Sequence, residues 1–244
     1  MTKKHFKLIL APMLMLAASF AFVSCDDDDD CCPLRDHYTA LVTIYPQDDD
    51  TFTMQLNETT TLVPSNIKKS PYGDKEVRAL VGYIDREEKG ATVRNVTVNW
   101  MDSIRTKYPV MTTGDDVAAF GNDPIEIVKD WVTIAEDGYL TLRLRTLWGQ
   151  LREPHYVNLV YGTDENDPYL FELRHDAKGD TQGVWGDALI AFNLNKLFPD
   201  KDNVTIKVKW NSFSGQKTTE FPLTMHGAPV SGDTERMSLN ERVK

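Results

Sequence analysis

Two histidines, His155 and His175, are the side chains of this chain best suited by type to move a proton near neutral pH. His175 precedes Asp176, a carboxylate that could orient an imidazole, and Ser212 and Ser214 lie downstream as candidate nucleophiles. Residue type alone does not make a hydroxyl reactive; a base must sit within hydrogen-bond reach, and hydrolases of the elbow type present the serine on a sharp turn. No G-x-S-x-G elbow surrounds either serine, so both histidines read as turn-edge residues hydrogen-bonded to backbone. The acidic run Asp164-Glu165-Asn166-Asp167 lacks calcium-loop spacing and its central glycine, and reads as a solvated loop. Cys31 and Cys32 are adjacent, so a bond between them would be strained, and with His37 they offer metal-ligand types without a scaffold. C-x-x-C, P-loop and G-x-G-x-x-G motifs are absent. The expectation is a protein with no catalytic residues, no metal and no cofactor, and so not an enzyme. The tryptophans Trp100, Trp131, Trp148, Trp185 and Trp210 each fall in or beside a strand and are expected in the core; two exposed on one face would instead mark sugar stacking.

The third cysteine, Cys25, has a different chemistry. Lys3, Lys4 and Lys7 form a basic start, and Leu8 to Val23 is an uncharged apolar run of roughly 16 residues, short of the ~20 that span a bilayer. Phe22-Val23-Ser24-Cys25 follows, with a small residue at the cut site. The arrangement is that of a secretory signal over 1–24. The tetrad resembles a lipobox, with Phe22 where leucine is usual, which implies lipidation of Cys25 as the mature N-terminus. Asp26, Asp27, Asp28, Asp29 and Asp30 come next; like charges at this density repel and keep the backbone extended and hydrated. Residues 25–37 therefore read as an acidic tether.

The chain has 27 basic and 37 acidic residues, and loss of the three signal lysines takes the formal charge from −10 to −13. That balance argues against nucleic acid and against adsorption to anionic lipid, leaving the lipid on Cys25 as the membrane contact.

After residue 37 the pattern is short and alternating. Tyr38–Tyr45, Thr51–Leu56, Lys75–Ile84 and Thr92–Trp100 read as strands, with Phe52, Met54 and Leu56 on one face and a bulge or bend at Gly82. The Gly-, Asp- and Thr-rich stretch 112–124 is the candidate boundary. Beyond it, Ile125–Ile134 reads as one strand, Glu136-Asp137-Gly138 as a hairpin turn, and Tyr139–Trp148 as its partner, with Leu140, Leu142 and Leu144 inward and Thr141, Arg143 and Arg145 outward. Tyr156–Tyr161, Tyr169–His175, Val184–Leu194, Val204–Trp210 and Lys217–Met225 complete the strands, the last at an edge because of Pro222. Asn193 is placed to cap one helical turn over Lys196–Phe198. The fold class is all-β, a barrel or sandwich in two domains, 38–115 and 124–228, with a polar tail over 229–244.

Cys25 with its aspartates, DWVTIAEDGYLTLRLRTLWG at 130–149, HYVNLVYG at 155–162, YLFELRHDAKGD at 169–180 and AFNLNKL at 191–197 together resemble the NigD-like lipoproteins of the Bacteroides group. The resemblance implies an N-terminal OB-like barrel followed by a C-terminal β-sandwich. The aspartates look like the export signal that carries lipoproteins of that group to the cell surface, with the periplasmic face of the outer membrane as the alternative. It also implies a non-catalytic binding or protective module, related to bacteriocin immunity. The alternative is a glycan-binding accessory lipoprotein of a polysaccharide-utilisation or envelope system, so the partner sought is a protein or a polysaccharide.

Overall fold

The structure is a computed structural model, and it describes residues 36–87, 90–113, 116–149 and 154–227. The signal 1–24, Cys25, the five aspartates, Cys31, Cys32 and the tail 229–244 lie outside the described residues. Fifteen strands are described, with no α-helix and a single 3-10 turn at Val117–Phe120. Among the described residues no helix is long and apolar enough to cross a membrane.

Five strands close the N-terminal barrel: β1 (His37–Pro46), β2 (Phe52–Gln55), β3 (Thr61–Pro64), β4 (Val77–Asp85) and β5 (Val93–Ser103), in the order β1-β2-β3-β5-β4. Closure comes from the parallel pairing of β3 with β5, because β1 pairs both β2 and β4 in antiparallel fashion. The interior holds Ala40, Val42, Ile44, Phe52, Met54, Leu62, Val81 and Val96. The expected irregularity at Gly82 is a bulge: Gly82 pairs with Trp100 and Tyr83 with Val98. The Trp100 indole lies over Gly82, where a Cβ would meet Nε1 at 2.0 Å. Gly82→Ala must lift this ring, and we expect a loss of about 1–3 kcal/mol in denaturant unfolding, with the Trp100 emission red-shifted; an unchanged midpoint would contradict the packing.

The remaining strands form a sandwich. One sheet runs β6 (Arg105–Lys107), β13 (Val184–Asn193), β10 (Tyr139–Trp148), β8 (Glu126–Ile127), with β9 (Ile134–Glu136) also on β10. The other runs β15 (Gly215–Thr224), β14 (Asn203–Ser212), β12 (Leu170–Asp176), β11 (Tyr156–Tyr161), β7 (Val110–Met111). Leu140, Leu142, Leu144, Ile190 and Phe192 face Leu159, Phe171, Leu173, Ile206 and Val208 in one core. β15 ends its sheet, as Pro222 required.

Four expectations need correction. Barrel strands end at Ser103, and β6 and β7 pair with sandwich strands, so residues 105–111 belong to the sandwich and not to a 38–115 barrel. Ile125–Ile134 is two short strands, because Asp130 bonds the Trp131 N–H at 2.6 Å and takes the Arg143 guanidinium, which folds the middle into a turn. Thr141 does not face solvent; it is fully buried. Asn193 caps no helix; it accepts the Asn195 N–H at 3.0 Å in a non-helical turn.

Candidate functional site

The burial of Thr141 leads to the main polar feature of the molecule. β1 is buried on both sides: Ala40, Val42 and Ile44 point into the barrel, while Leu41 and Thr43 point at the sandwich. Leu41 and Ile104 from the barrel side pack on Tyr139 and Ala191 of the sandwich. Beside this apolar contact Arg78 of β4 is 1 % exposed. Its Nη1 donates to Thr43 Oγ1 at 2.9 Å, its Nε to Thr141 Oγ1 at 3.3 Å, and its Nη2 pairs with Glu136. The guanidinium also lies 5.9 Å from the Tyr139 ring centroid. Tyr139 donates its hydroxyl hydrogen to Glu76 and accepts from Asn193 Nδ2 at 2.9 Å. Burial, with the Glu76 carboxylate beside it, pushes the Tyr139 hydroxyl far above the ordinary tyrosine range.

At the solvent end of this seam, Asp137 sits in the β9–β10 turn with φ 54°, followed by Gly138 at φ 74°, the double left-handed geometry that an Asp-Gly hairpin supplies. Tyr45 donates to Asp137 Oδ2 at 2.7 Å, and His226 Nδ1 lies 2.7 Å from Asp137 Oδ1 with its ring against Tyr45. A cleft of about 110 Å³ opens here, lined by Gln55, Glu58, Arg78, Glu136, Asp137 and His226. Two contacts cross the seam here, Thr224 Oγ1 donating to Glu58 at 2.7 Å and Tyr45 of the barrel meeting the Asp137–His226 pair of the sandwich. It is a clasp between barrel and sandwich, with acceptor-rich walls.

His155 and His175, which lie 20 residues apart, are brought together by the β11–β12 pairing. His175 is 1 % exposed. Its Nδ1 lies 3.2 Å from the Pro124 carbonyl, which can only accept, so Nδ1 carries the hydrogen. His175 Nε2 then accepts from His155 Nδ1 at 3.0 Å, and His155 Nε2 faces Asp180 at 3.5 Å. Trp148 stacks on His155 at 4.2 Å and closes the group from one side. Asp176 does not orient His175; it holds Lys178 at 2.6 Å. Ser212 bonds Glu126 at 2.5 Å and Ser214 at 3.0 Å rather than either histidine. Sequence reasoning found both histidines but missed Asp180, whose only signal was its place in a turn, and the backbone bond expected of His175 is present. His37 is at the start of β1, 3.5 Å from Asn99. Among the described residues no cluster of three or more metal-ligand types is present.

The two histidine sites titrate in opposite senses. Burial first, and the neighbouring His155 second, depress the His175 value. Its contribution to stability is complete above the unfolded value near 6.5 and is lost as pH falls toward the folded one. The hydrogen bond to Asp137 raises His226, so its contribution is complete below about 6.5 and lost as pH rises through the folded value. We expect His226→Gln to lower the urea midpoint at pH 5.5 and to leave it nearly unchanged at pH 9; an equal loss at both would contradict the clasp.

The tryptophans divide. Trp210 is 8 % exposed and lies with Phe221 and Ile127 in a wider cleft of about 660 Å³ at the β8 and β15 edges. Trp131 and Trp148 are half-buried. Trp100 and Trp185 are exposed, contrary to the core expectation, the first on the barrel and the second on the sandwich. The sandwich core does not reach Trp185: β13 begins at Val184, and only from Ile190 onward are all its residues buried.

These features define a two-domain β protein, an OB-type barrel locked to a sandwich. Residues 41–104 match the NigD-like N-terminal OB domain and residues 108–223 the NigD-like C-terminal beta sandwich domain, and the chain belongs to the NigD-like family. Among solved structures it is similar to a protein of Parabacteroides distasonis labelled toxin-related, with 28 % identity, TM-score 0.64, and coverage of 78 % of this chain and 94 % of that one. It is similar in fold to a protein of unknown function from Bacteroides vulgatus (21 % identity, TM-score 0.61, coverage 84 % and 99 %). The same holds for a NigD-like immunity protein from Bacteroides caccae (18 % identity, TM-score 0.53, coverage 77 % and 97 %). No curated protein matches it significantly.

Proposed function

We propose that this protein is a lipoprotein anchored through Cys25, displayed on the outer face of the outer membrane, that acts without catalysis as a protective binding module against a protein antagonist of the bacteriocin kind. The observation that carries the reading is the buried seam of Arg78, Glu136, Thr43 and Thr141. It makes the surfaces of both domains a preorganised unit, which lowers the ordering cost of engaging a large partner. The run Asp26–Asp30 directly after Cys25 supports the surface location through its resemblance to the export signals of Bacteroides-group lipoproteins. The label of the Bacteroides caccae structure, an immunity protein, supports the protective role at the level of the shared fold.

The test is a deletion strain challenged with culture supernatants of related competing bacteria, and complemented with the native gene or with Cys25→Ala. The reading predicts at least one protease-sensitive inhibitory activity to which the deletion strain is more sensitive. Native protein restores resistance and the unlipidated variant does not. Equal sensitivity of deletion and parent strains across the panel would contradict it.

A further inference from the structure

Trp185 and Phe213 form an aromatic corner that the protective reading does not use. Trp185 is 55 % and Phe213 41 % exposed, and the rings meet edge to face, with centroids 4.8 Å apart and planes at 70°. Neither ring is left there by a floppy loop. Phe213 occupies the two-residue turn between β14 and β15, and that turn is fixed by one carboxylate: Glu126 accepts from the Phe213 N–H at 3.1 Å, from Ser212 Oγ at 2.5 Å and from Lys217 Nζ at 3.0 Å. Ser214 N–H donates to Ser212 Oγ at 3.1 Å. Trp185 stands on β13 opposite Leu147 of β10, in a continuous antiparallel ladder. Two large apolar rings held rigid at a solvent-facing corner serve no core, and Val184 beside them is 73 % exposed.

Size and charge say what covers the corner. Aromatic side chains bury about 150–250 Å² each, so two rings roughly half open offer on the order of 200 Å². A stable protein partner needs about 800 Å² a side. The neighbouring charges are already matched: Lys217 on Glu126, and Asp187, two residues beyond Trp185, on Arg143 and Arg145. Among the described residues the corner therefore presents a rigid apolar wall, with the exposed Ser214 near its foot and its ionic neighbours paired. A small, neutral ligand with an apolar C–H face and hydroxyl edges fits it. We propose that Trp185 and Phe213 form a stacking site for a neutral sugar ring, part of an oligosaccharide or polysaccharide at the cell surface.

The probes are four neutral hexasaccharides, of the malto, cello, xylo and manno series, titrated into the full-length protein in detergent with tryptophan fluorescence and calorimetry as readouts. The expected result is saturable binding of at least one probe. Trp185→Ala should weaken it about tenfold or more, a loss in keeping with an aromatic contact plus its buried area. Phe213→Ala should weaken it several-fold, and Trp100→Ala on the barrel should leave it unchanged. Unfolding midpoints of the variants confirm that the fold is intact. Absence of binding by all four probes, or binding that Trp185→Ala does not change, overturns the assignment. So does a result in which Trp185→Ala changes only the sedimentation behaviour, since the corner would then be a contact between copies of this chain. None of these outcomes alters the bacteriocin challenge, so the sugar site and the protective role fail separately.

Discussion

Arg78→Ala should cost about 3–5 kcal/mol of stability, the loss typical when one partner of a buried ion pair is removed and the other charge is left inside. Arg78 is 1 % exposed and serves Glu136, Thr43 and Thr141 at once, so truncation removes one donor from each of three buried side chains. Urea unfolding measures the loss, and proteolysis reads its location: cleavage within residues 104–112, where the chain passes from barrel to sandwich, should appear in the variant and not in the native protein. The double variant Arg78→Met with Glu136→Leu should recover most of the stability, because an apolar pair of similar volume removes both buried charges. A loss below about 1 kcal/mol in the single variant would mean that the seam behaves like an exposed pair, and the rigid unit on which the protective reading rests would be lost with it.

Gly183→Ala should cost about 2–4 kcal/mol, the sum of backbone strain and overpacking. Gly183 has φ 136°, and a Cβ there would lie 2.0 Å from the Trp148 carbonyl oxygen and 2.8 Å from Gly149 Cα. These are backbone atoms and cannot swing aside. Gly179 is the control: its φ is 83°, and nothing lies within 4 Å of an added Cβ, so Gly179→Ala carries only the conformational term of about 1 kcal/mol. The difference between the two variants in thermal or urea unfolding isolates the clash. Because Trp148 stacks on His155, Gly183→Ala should also shift the imidazole resonances of the His155–His175 pair. Equal costs at 179 and 183 would contradict the packing described.

Local alternation was enough to find most strands. Tyr139–Trp148 and Tyr156–Tyr161 have the bounds their residues predict, and the two-domain all-β fold follows from strand and turn signals with the NigD-like resemblance. What alternation could not show is what covers a face. Thr141 has the look of a solvent residue, on the same alternating face as Arg143 and Arg145, yet the barrel lies over it and Arg78 reaches it from 63 residues away. Asp130 broke a strand because its carboxylate was committed to Arg143, a partner on another strand. The domain limit was misplaced because β6 and β7 are three and two residues long, too short for a period, and are defined only by parallel partners at Ile190–Phe192 and Val160–Tyr161. The candidate sites share this origin. His155 meets His175 and Asp180, and Trp185 meets Phe213, through pairings between distant segments. The tether is the reverse case, since Cys25 and the aspartates are read from adjacency alone.

Protease shaving of intact cells tests the central claim most directly, comparing the native protein with a variant in which Asp26 to Asp30 are alanine. The account predicts that protease added outside the cell digests the native protein and spares the variant, with both digested after lysis. If intact cells protect both proteins while lysed cells lose both, the protein faces the periplasm, the aspartates are a spacer only, and a surface role against bacteriocins is contradicted.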